Sequence, residues 1–215
     1  MRTVNKALFL DLDGTVIVTK SGRTFAKDKD DWMFNQNILA KIEEYVDKGY
    51  YLMIVSNQGG IEMGYTSLND FRQKLRKVVN DIIVHTGIPF SRVGHRFSVT
   101  NNPEDFFRKP NPGMAYDLAL AYILNLKDCI MVGDASGKVR KSTTVYYDEG
   151  SPTSWSHKNG THITEQELKK LNVFNTEGNK YGTIVEQDFS DSDYQFALNA
   201  GMVYVDIEGF LRGEY

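Results

Sequence analysis

At 215 residues the chain is long enough to bury one substantial core, or a core that carries an insertion. Its 41% hydrophobic and 25% charged residues are ordinary for a globular protein, and a net charge of −3 excludes coating of nucleic acid through bulk charge. A single cysteine, Cys129, excludes an internal disulfide and fits a reducing compartment, while the absence of a transmembrane-length apolar run or a signal-peptide core predicts a cytoplasmic (or nuclear, if eukaryotic) protein that is not secreted and has no membrane partner.

An apolar strand is predicted over 6–11, then a hairpin over 16–25 around Ser21-Gly22. Ile38, Leu39, Ile42, Tyr45 and Val46 line one side of a helix over 35–48, which ends at Gly49. A strand over 50–56 precedes a stronger helix over 68–86, with Ser67 and Asp70 as its cap and Gly87 as its stop. A strand over 93–99, a helix over about 113–124 and a strand over 128–132 come next; Cys129 reads as a buried strand residue. Residues 138–187 break the rhythm. They are rich in Gly, Ser, Thr and Asn, hold Tyr146, Tyr147 and Trp155, and show one helical piece opening at Thr164 with Glu167. This stretch reads as an insertion with a little structure of its own within a single domain over 1–215; its aromatics either pack onto the body or stack bases. A helix over 192–200 and a strand over 202–205 close the chain. Strands alternating with helices predict an α/β fold, a doubly wound parallel sheet with a small hairpin flap.

The polar residues collect where these strands end. Asp11 and Asp13, two apart, leave the first strand on one side. Two such charges repel by roughly 1–4 kcal/mol at about 4 Å, depending on the local dielectric. The pair reads either as a cation or proton site or as a plain strand running into an Asp-Gly turn. The second strand delivers Ser56-Asn57-Gln58-Gly59-Gly60, a hydroxyl with backbone N–H groups that can cradle a phosphate. Arg108-Lys109-Pro110 comes after the third, and Gly133-Asp134 after the fourth. Open α/β sheets place their sites at such strand ends.

The ordered set Asp11-x-Asp13, Ser56, Lys109, Gly133-Asp134 resembles the haloacid dehalogenase superfamily of aspartate-nucleophile phosphohydrolases. Further strings narrow the resemblance to the polynucleotide kinase 3′-phosphatase family: Ser21-Gly22-Arg23-x-Phe25, Ser56-Asn57-Gln58-x-Gly60-Ile61, Arg108-Lys109-Pro110-x-x-Gly113-Met114, Gly133-Asp134-Ala135-x-Gly137 and Asp188-Phe189-Ser190-x-x-Asp193. The resemblance implies removal of 3′-phosphates from nucleic acid ends, DNA rather than RNA, during end repair. It implies Asp11 as nucleophile and Asp13 as proton carrier, with Ser56 and Lys109 holding the phosphoryl oxygens. It implies magnesium held by the carboxylates of Asp11 and Asp134 and the carbonyl of Asp13, with Asp193 orienting Lys109 or completing the metal site. Asn57, Gln58, Gly59, Arg23, Arg108 and Lys138 are candidates for substrate contact, as are Arg140 and Lys141; Trp32 and Phe25 either flank a terminal nucleotide or belong to the core. Departures from the family pattern are Ser56 in place of threonine and Lys138 in place of arginine. The run Gly133–Val139 has three residues between its glycines and Val139 where a Walker loop needs Ser or Thr, so a kinase or ligase partner would be a separate chain. Two rivals stand beside this reading. One is a histidinol-phosphate or sugar-bisphosphate phosphatase of the same superfamily, relatives of which often carry a cysteine/histidine zinc loop that one cysteine cannot build. The other is a non-catalytic phospho-acceptor module.

Overall fold

The computed structural model describes residues 4–23, 25–147, 155–157, 163–168, 170–176, 179–188 and 190–214. Phe189 and His162 lie outside them, as do the side chains of Arg140, Lys141, Tyr147 and His157. The chain divides into two compact units, Met1–Ser136 with Asp191–Tyr215, and Gly137–Ser190.

The first unit runs β1 (Ala7–Leu10), β2 (Ile17–Val18), β3 (Met33–Phe34), α1 (Ile38–Asp47), β4 (Tyr51–Asn57), α2 (Leu68–Thr86), β5 (Val93–Ser98), α3 (Gly113–Tyr122) and β6 (Ile130–Gly133). The second unit comprises β7 (Val139–Tyr147), β8 (Trp155–His157), α4 (Glu165–Leu168), β9 (Leu171–Thr176) and β10 (Asn179–Gln187). The chain then returns to the first unit through α5 (Ser192–Ala200), β11 (Val203–Asp206) and α6 (Ile207–Arg212). Every pairing in the five-stranded sheet is parallel, in the order β11-β6-β1-β4-β5. This is the doubly wound α/β architecture. Strand order reverses beside β1, so the crevice outside the carboxyl ends of β1 and β6 is the natural site.

Alternation along β1 builds the two halves of the core. Leu8 and Leu10 join Ile54, Val132 and the buried stripes of α1, α2 and α6 on one face. Ala7 and Phe9 join Met53, Met131 and residues of α3 and α5 on the other. With both faces covered, β1 must be apolar throughout, as Ala-Leu-Phe-Leu is. Ser67 caps α2 by accepting the Asp70 N–H at 3.0 Å, and Gly87, at φ 66°, ends the helix. Cys129 is buried; its sulfur accepts the Ala7 N–H at 3.2 Å, and burial pushes its thiol up to about 11. It is a structural residue.

Three expectations change. The flap hairpin closes on Met33–Phe34 rather than within 16–25. Its long loop is held by Asp31, which accepts from the Ser21 N–H (2.9 Å), the Ser21 hydroxyl (2.7 Å) and the Lys27 N–H (3.0 Å). Residues 207–212, with no predicted element, form α6, capped by Asp206 and buried through Ile207 and Phe210. The stretch read as lightly structured carries a four-stranded antiparallel sheet, β8-β7-β10-β9. Val145, Trp155 and Ile184 form that unit's own apolar cluster, so Trp155 packs inside it. The cap at Thr164 forms as expected, its hydroxyl accepting from the Glu167 N–H while the Glu167 carboxylate accepts from the Thr164 N–H at 2.8 Å. No helix among the described residues is long and apolar enough to cross a membrane.

Candidate active site

Asp11 leaves β1 with its N–H bonded to the Val132 carbonyl of β6 at 3.0 Å, which places its carboxylate in the crevice. Lys109 meets it there. Its Nζ donates to Asp11 Oδ1 at 2.5 Å, to Asp193 Oδ1 at 2.6 Å and to the Val55 carbonyl at 3.3 Å. All three residues are nearly sealed from solvent, with relative exposures of 6% for Asp11, 3% for Lys109 and 1% for Asp193. Burial pushes the Asp11 carboxyl well above the usual carboxylate range; Lys109 pulls against that rise, and Asp193 and Asp134 add to it. Burial alone would lower the Lys109 ammonium, but Asp11 and Asp193 outweigh it and hold the lysine above its ordinary value.

Asp193 enters from the first turn of α5. Its Oδ2 accepts the Ala135 N–H at 3.1 Å, while its own N–H donates to the Ala135 carbonyl at 3.1 Å. Two glycines make room for these carboxylates. A Cβ on Gly133 would lie 2.2 Å from Asp193 Oδ2, and one on Gly14 would lie 2.2 Å from Asp134 Oδ2. Gly14 also has φ 95°, a conformation that L side chains rarely adopt. Asp11, Asp134 and Asp193 each bring one carboxylate oxygen within 4.8 Å of the others. One ammonium against these carboxylates leaves an excess of negative charge, and hard oxygen donors so gathered suit a divalent cation such as magnesium.

The rim of the crevice is built differently. Ser56, at the end of β4 and 3% exposed, accepts at its hydroxyl from Gln58 Nε2 at 2.8 Å. The same Gln58 nitrogen donates to Asp13 Oδ2 at 2.6 Å. Asp13 Oδ1 accepts from Lys74 Nζ of α2 at 2.9 Å. The two aspartates of the first strand therefore turn to different partners, and the Asp13 carboxylate lies outside the acidic cluster.

Several candidates for substrate contact have other occupations. Asn57 Oδ1 accepts the Lys109 N–H at 2.9 Å, and its Nδ2 donates to the Lys109 carbonyl at 2.8 Å, so Asn57 fixes the backbone that carries the lysine. Gly59 is a packing requirement: a Cβ there would fall 1.8 Å from Asn101 Oδ1. Arg108 is half-buried and donates to the Thr100 carbonyl at 2.6 Å; burial lowers its guanidinium. Arg23 is exposed on the flap loop, where its carbonyl accepts from Thr19. Lys138 belongs to the second unit, its backbone bonded both ways to Asp188. Trp32 is buried, packed edge-on against Phe34, whereas Phe25 is exposed. Lys74 escaped the sequence reading because only the folded chain brings the middle of α2 to the first strand's exit. Its one signal was a lysine set beside the apolar stripe.

The family model for polynucleotide kinase 3 phosphatase matches residues 6–211. The chain belongs to this family. It is a phosphatase of the haloacid dehalogenase superfamily. Other members of the superfamily are similar over shorter stretches. A D-glycero-beta-D-manno-heptose-1,7-bisphosphate 7-phosphatase of Helicobacter pylori (strain J99) is 30% identical over 136 residues, covering 62% of this chain and 75% of that protein. The bifunctional polynucleotide phosphatase/kinase of Schizosaccharomyces pombe is 30% identical over 145 residues, covering 64% of this chain but only 32% of that longer protein. The crystal structure of a D,D-heptose 1,7-bisphosphate phosphatase from B. bronchiseptica, complexed with magnesium and phosphate, shares the fold. It superposes at a TM-score of 0.52 with 22% identity, covering 62% of this chain and 72% of that one.

Proposed function

We propose that this family member is a magnesium-dependent polynucleotide 3′-phosphatase working through an aspartyl-phosphate on Asp11. The reading rests on one observation above others: the family match runs from residue 6 to residue 211 and so includes Asp193, beyond the insertion. Nucleic acid 3′ ends are then the substrate.

The residues divide the work. An Asp11 carboxylate oxygen attacks phosphorus in line as the bond to the leaving 3′-oxygen breaks. That oxygen keeps the electron pair and takes the proton of the Asp13 carboxylic acid. Water then attacks phosphorus, returning the Asp11 carboxylate and giving its proton to the Asp13 carboxylate. Ser56 and Lys109 hold the phosphoryl oxygens, and Asp193 and Asn57 hold Lys109. Uncatalysed monoester hydrolysis is slow enough to need accelerations of up to ~10²¹, so preorganised charge must supply most of the effect. Asp11, Asp134 and Asp193 would hold the magnesium, joined by the Asp13 carbonyl. Bound there, the cation would neutralise phosphoryl charge.

A second reading, a sugar-bisphosphate phosphatase, is favoured by the 30% identity to the Helicobacter pylori enzyme. Phosphate release with magnesium from a 3′-phosphorylated oligonucleotide, a 5′-phosphorylated one, histidinol phosphate and a heptose 1,7-bisphosphate separates the readings. The expected result is release from the 3′-phosphorylated oligonucleotide. Release from the heptose alone moves the assignment to the second reading, and no release from any of the four removes both.

A further inference from the structure

Lys74 stands outside every motif, yet it is bonded to the residue given the proton. Its Nζ donates to Asp13 Oδ1 at 2.9 Å, while Gln58 donates to Asp13 Oδ2 at 2.6 Å. The pair is lopsided. The Lys74 side chain is 10% exposed and the Asp13 side chain 47% exposed. Ion pairs with both ends in water fix little, because each end is solvated without the other. A lysine this covered needs a partner for its ammonium, and Asp13 is that partner. An exposed carboxylate needs no lysine for its own solvation, so the consequence of the pair is where Asp13 points.

The lysine itself is well anchored. It lies on a helix whose Phe71, Leu75 and Val78 are core residues, and its ammonium sits 5.5 Å from the centre of the Phe71 ring. On either side of it, Gln73 accepts from Lys29 of the flap loop at 2.9 Å, and Lys77 lies 5.4 Å from the Trp32 ring. With a donor from α2 on one oxygen and a donor from the β4 loop on the other, the Asp13 carboxylate cannot rotate without breaking a charge-assisted bond.

We propose that Lys74 is a positioning residue for proton transfer: with Gln58 it aims Asp13 at the leaving oxygen. This rests on the assignment of Asp13 as proton carrier under the function proposed above. Lys74 touches neither the phosphoryl group nor Asp11; it acts through Asp13. Its removal therefore matters in proportion to how much the leaving group needs a proton.

That dependence supplies the test. Leaving-group release is followed in single turnover, with enzyme in excess and magnesium present, for wild type, Lys74→Met and Lys74→Arg. One substrate is a 3′-phosphorylated oligonucleotide (or whichever alkyl monoester the wild type hydrolyses), whose alkoxide must be protonated. The other is p-nitrophenyl phosphate, whose leaving group departs unprotonated. General acid catalysis contributes typically ~10²–10⁴-fold, so Lys74→Met is expected to slow release from the alkyl ester by about 10²-fold. On the same scale, release of nitrophenol should change by less than about threefold, and Lys74→Arg should recover most of the loss. The unchanged nitrophenol rate also reports that the variant is folded. Equal losses on both substrates, or no loss on either, overturn the role of Lys74 while leaving the phosphatase reading intact. A wild type silent on both overturns that reading and this one with it.

Discussion

Asp11 and Asp13 stand two residues apart, yet they occupy opposite surroundings. Asp11 is sealed among Lys109, Asp193 and Asp134, and burial dominates its behaviour. Asp13 sits on the rim, half exposed, between Lys74 and Gln58. Each has its own lysine, from a different element: Lys109 from the loop before α3, Lys74 from the middle of α2. The buried centre suits a group that must stay fixed and form a bond to phosphorus. The open rim suits one that must exchange protons with a leaving group and then with water. Changes in the centre should therefore cost both stability and activity, whereas changes on the rim should cost mainly activity.

The largest effect should come from Asp11→Asn. Phosphate release is expected to fall by about 10⁴-fold or more, in the range seen when a covalent nucleophile is removed, with the circular dichroism spectrum unchanged. Lys109→Met probes the centre's other side. It leaves the carboxylates of Asp11 and Asp193 buried without their cation, a loss of roughly 3–5 kcal/mol in urea unfolding, with activity lost as well. Asp13→Asn is the contrasting rim change: turnover down by about 10²–10⁴-fold. Its unfolding free energy should move by about 1–2 kcal/mol, less than for Lys109→Met, because Asp13 is half exposed and the asparagine still offers the covered Lys74 a carbonyl oxygen. If Asp13→Asn destabilises the fold as much as Lys109→Met does, the division into centre and rim is wrong.

Asn57→Ala sharpens the same contrast from behind the lysine. It removes both bonds to the Lys109 backbone and should cost about 1–3 kcal/mol, with activity falling because Lys109 is less well held, as steady-state kinetics would read. The smallest effect is expected at the flap. The Lys27 N–H, the Ser21 hydroxyl and the Ser21 N–H hold Asp31 down at about 2. Its folded value lies below the unfolded value of about 3.9, so its contribution is complete above roughly pH 4 and is lost as pH falls toward about 2. Protection from hydrogen exchange over residues 19–32, taken relative to the intrinsic rate at each pH, should fall across that window in the wild type, and Asp31→Asn should show the lowered protection already at neutral pH.

Much of the fold was legible because its signals are local. Strands 50–56 and 93–99 and the helices at 68–86 and 192–200 fall within a residue or two of where periodicity and caps put them. The flap and the insertion were harder, because their order comes from contacts distant in sequence. The return strand Met33–Phe34 is only two residues long and carries no periodicity; it exists because it pairs with Ile17–Val18. The strands of the second unit carry β-branched and aromatic residues, as in Thr143-Thr144-Val145-Tyr146 and Thr183-Ile184-Val185, but Asn, Gly and charged residues interrupt the alternation, and cross-strand pairing around Trp155 and Ile184 completes them.

For the site, the sequence alone determined which groups gather. Asp11, Ser56 and Asp134 each lie just past or at the end of a strand of one parallel sheet, Lys109 lies in the loop that follows another, and parallel strands bring their carboxyl ends to one edge. It also marked Asp193 through its resemblance string. Only the tertiary structure decided what each group touches. Gln58 bridges Ser56 and Asp13, and Asn57 serves the lysine's backbone. Lys74 was invisible because helix spacing says which residues share a face and nothing about which strand exit that face will meet. Asp11 and Asp13, alike in sequence, became unlike because burial and the choice of lysine are properties of the folded chain.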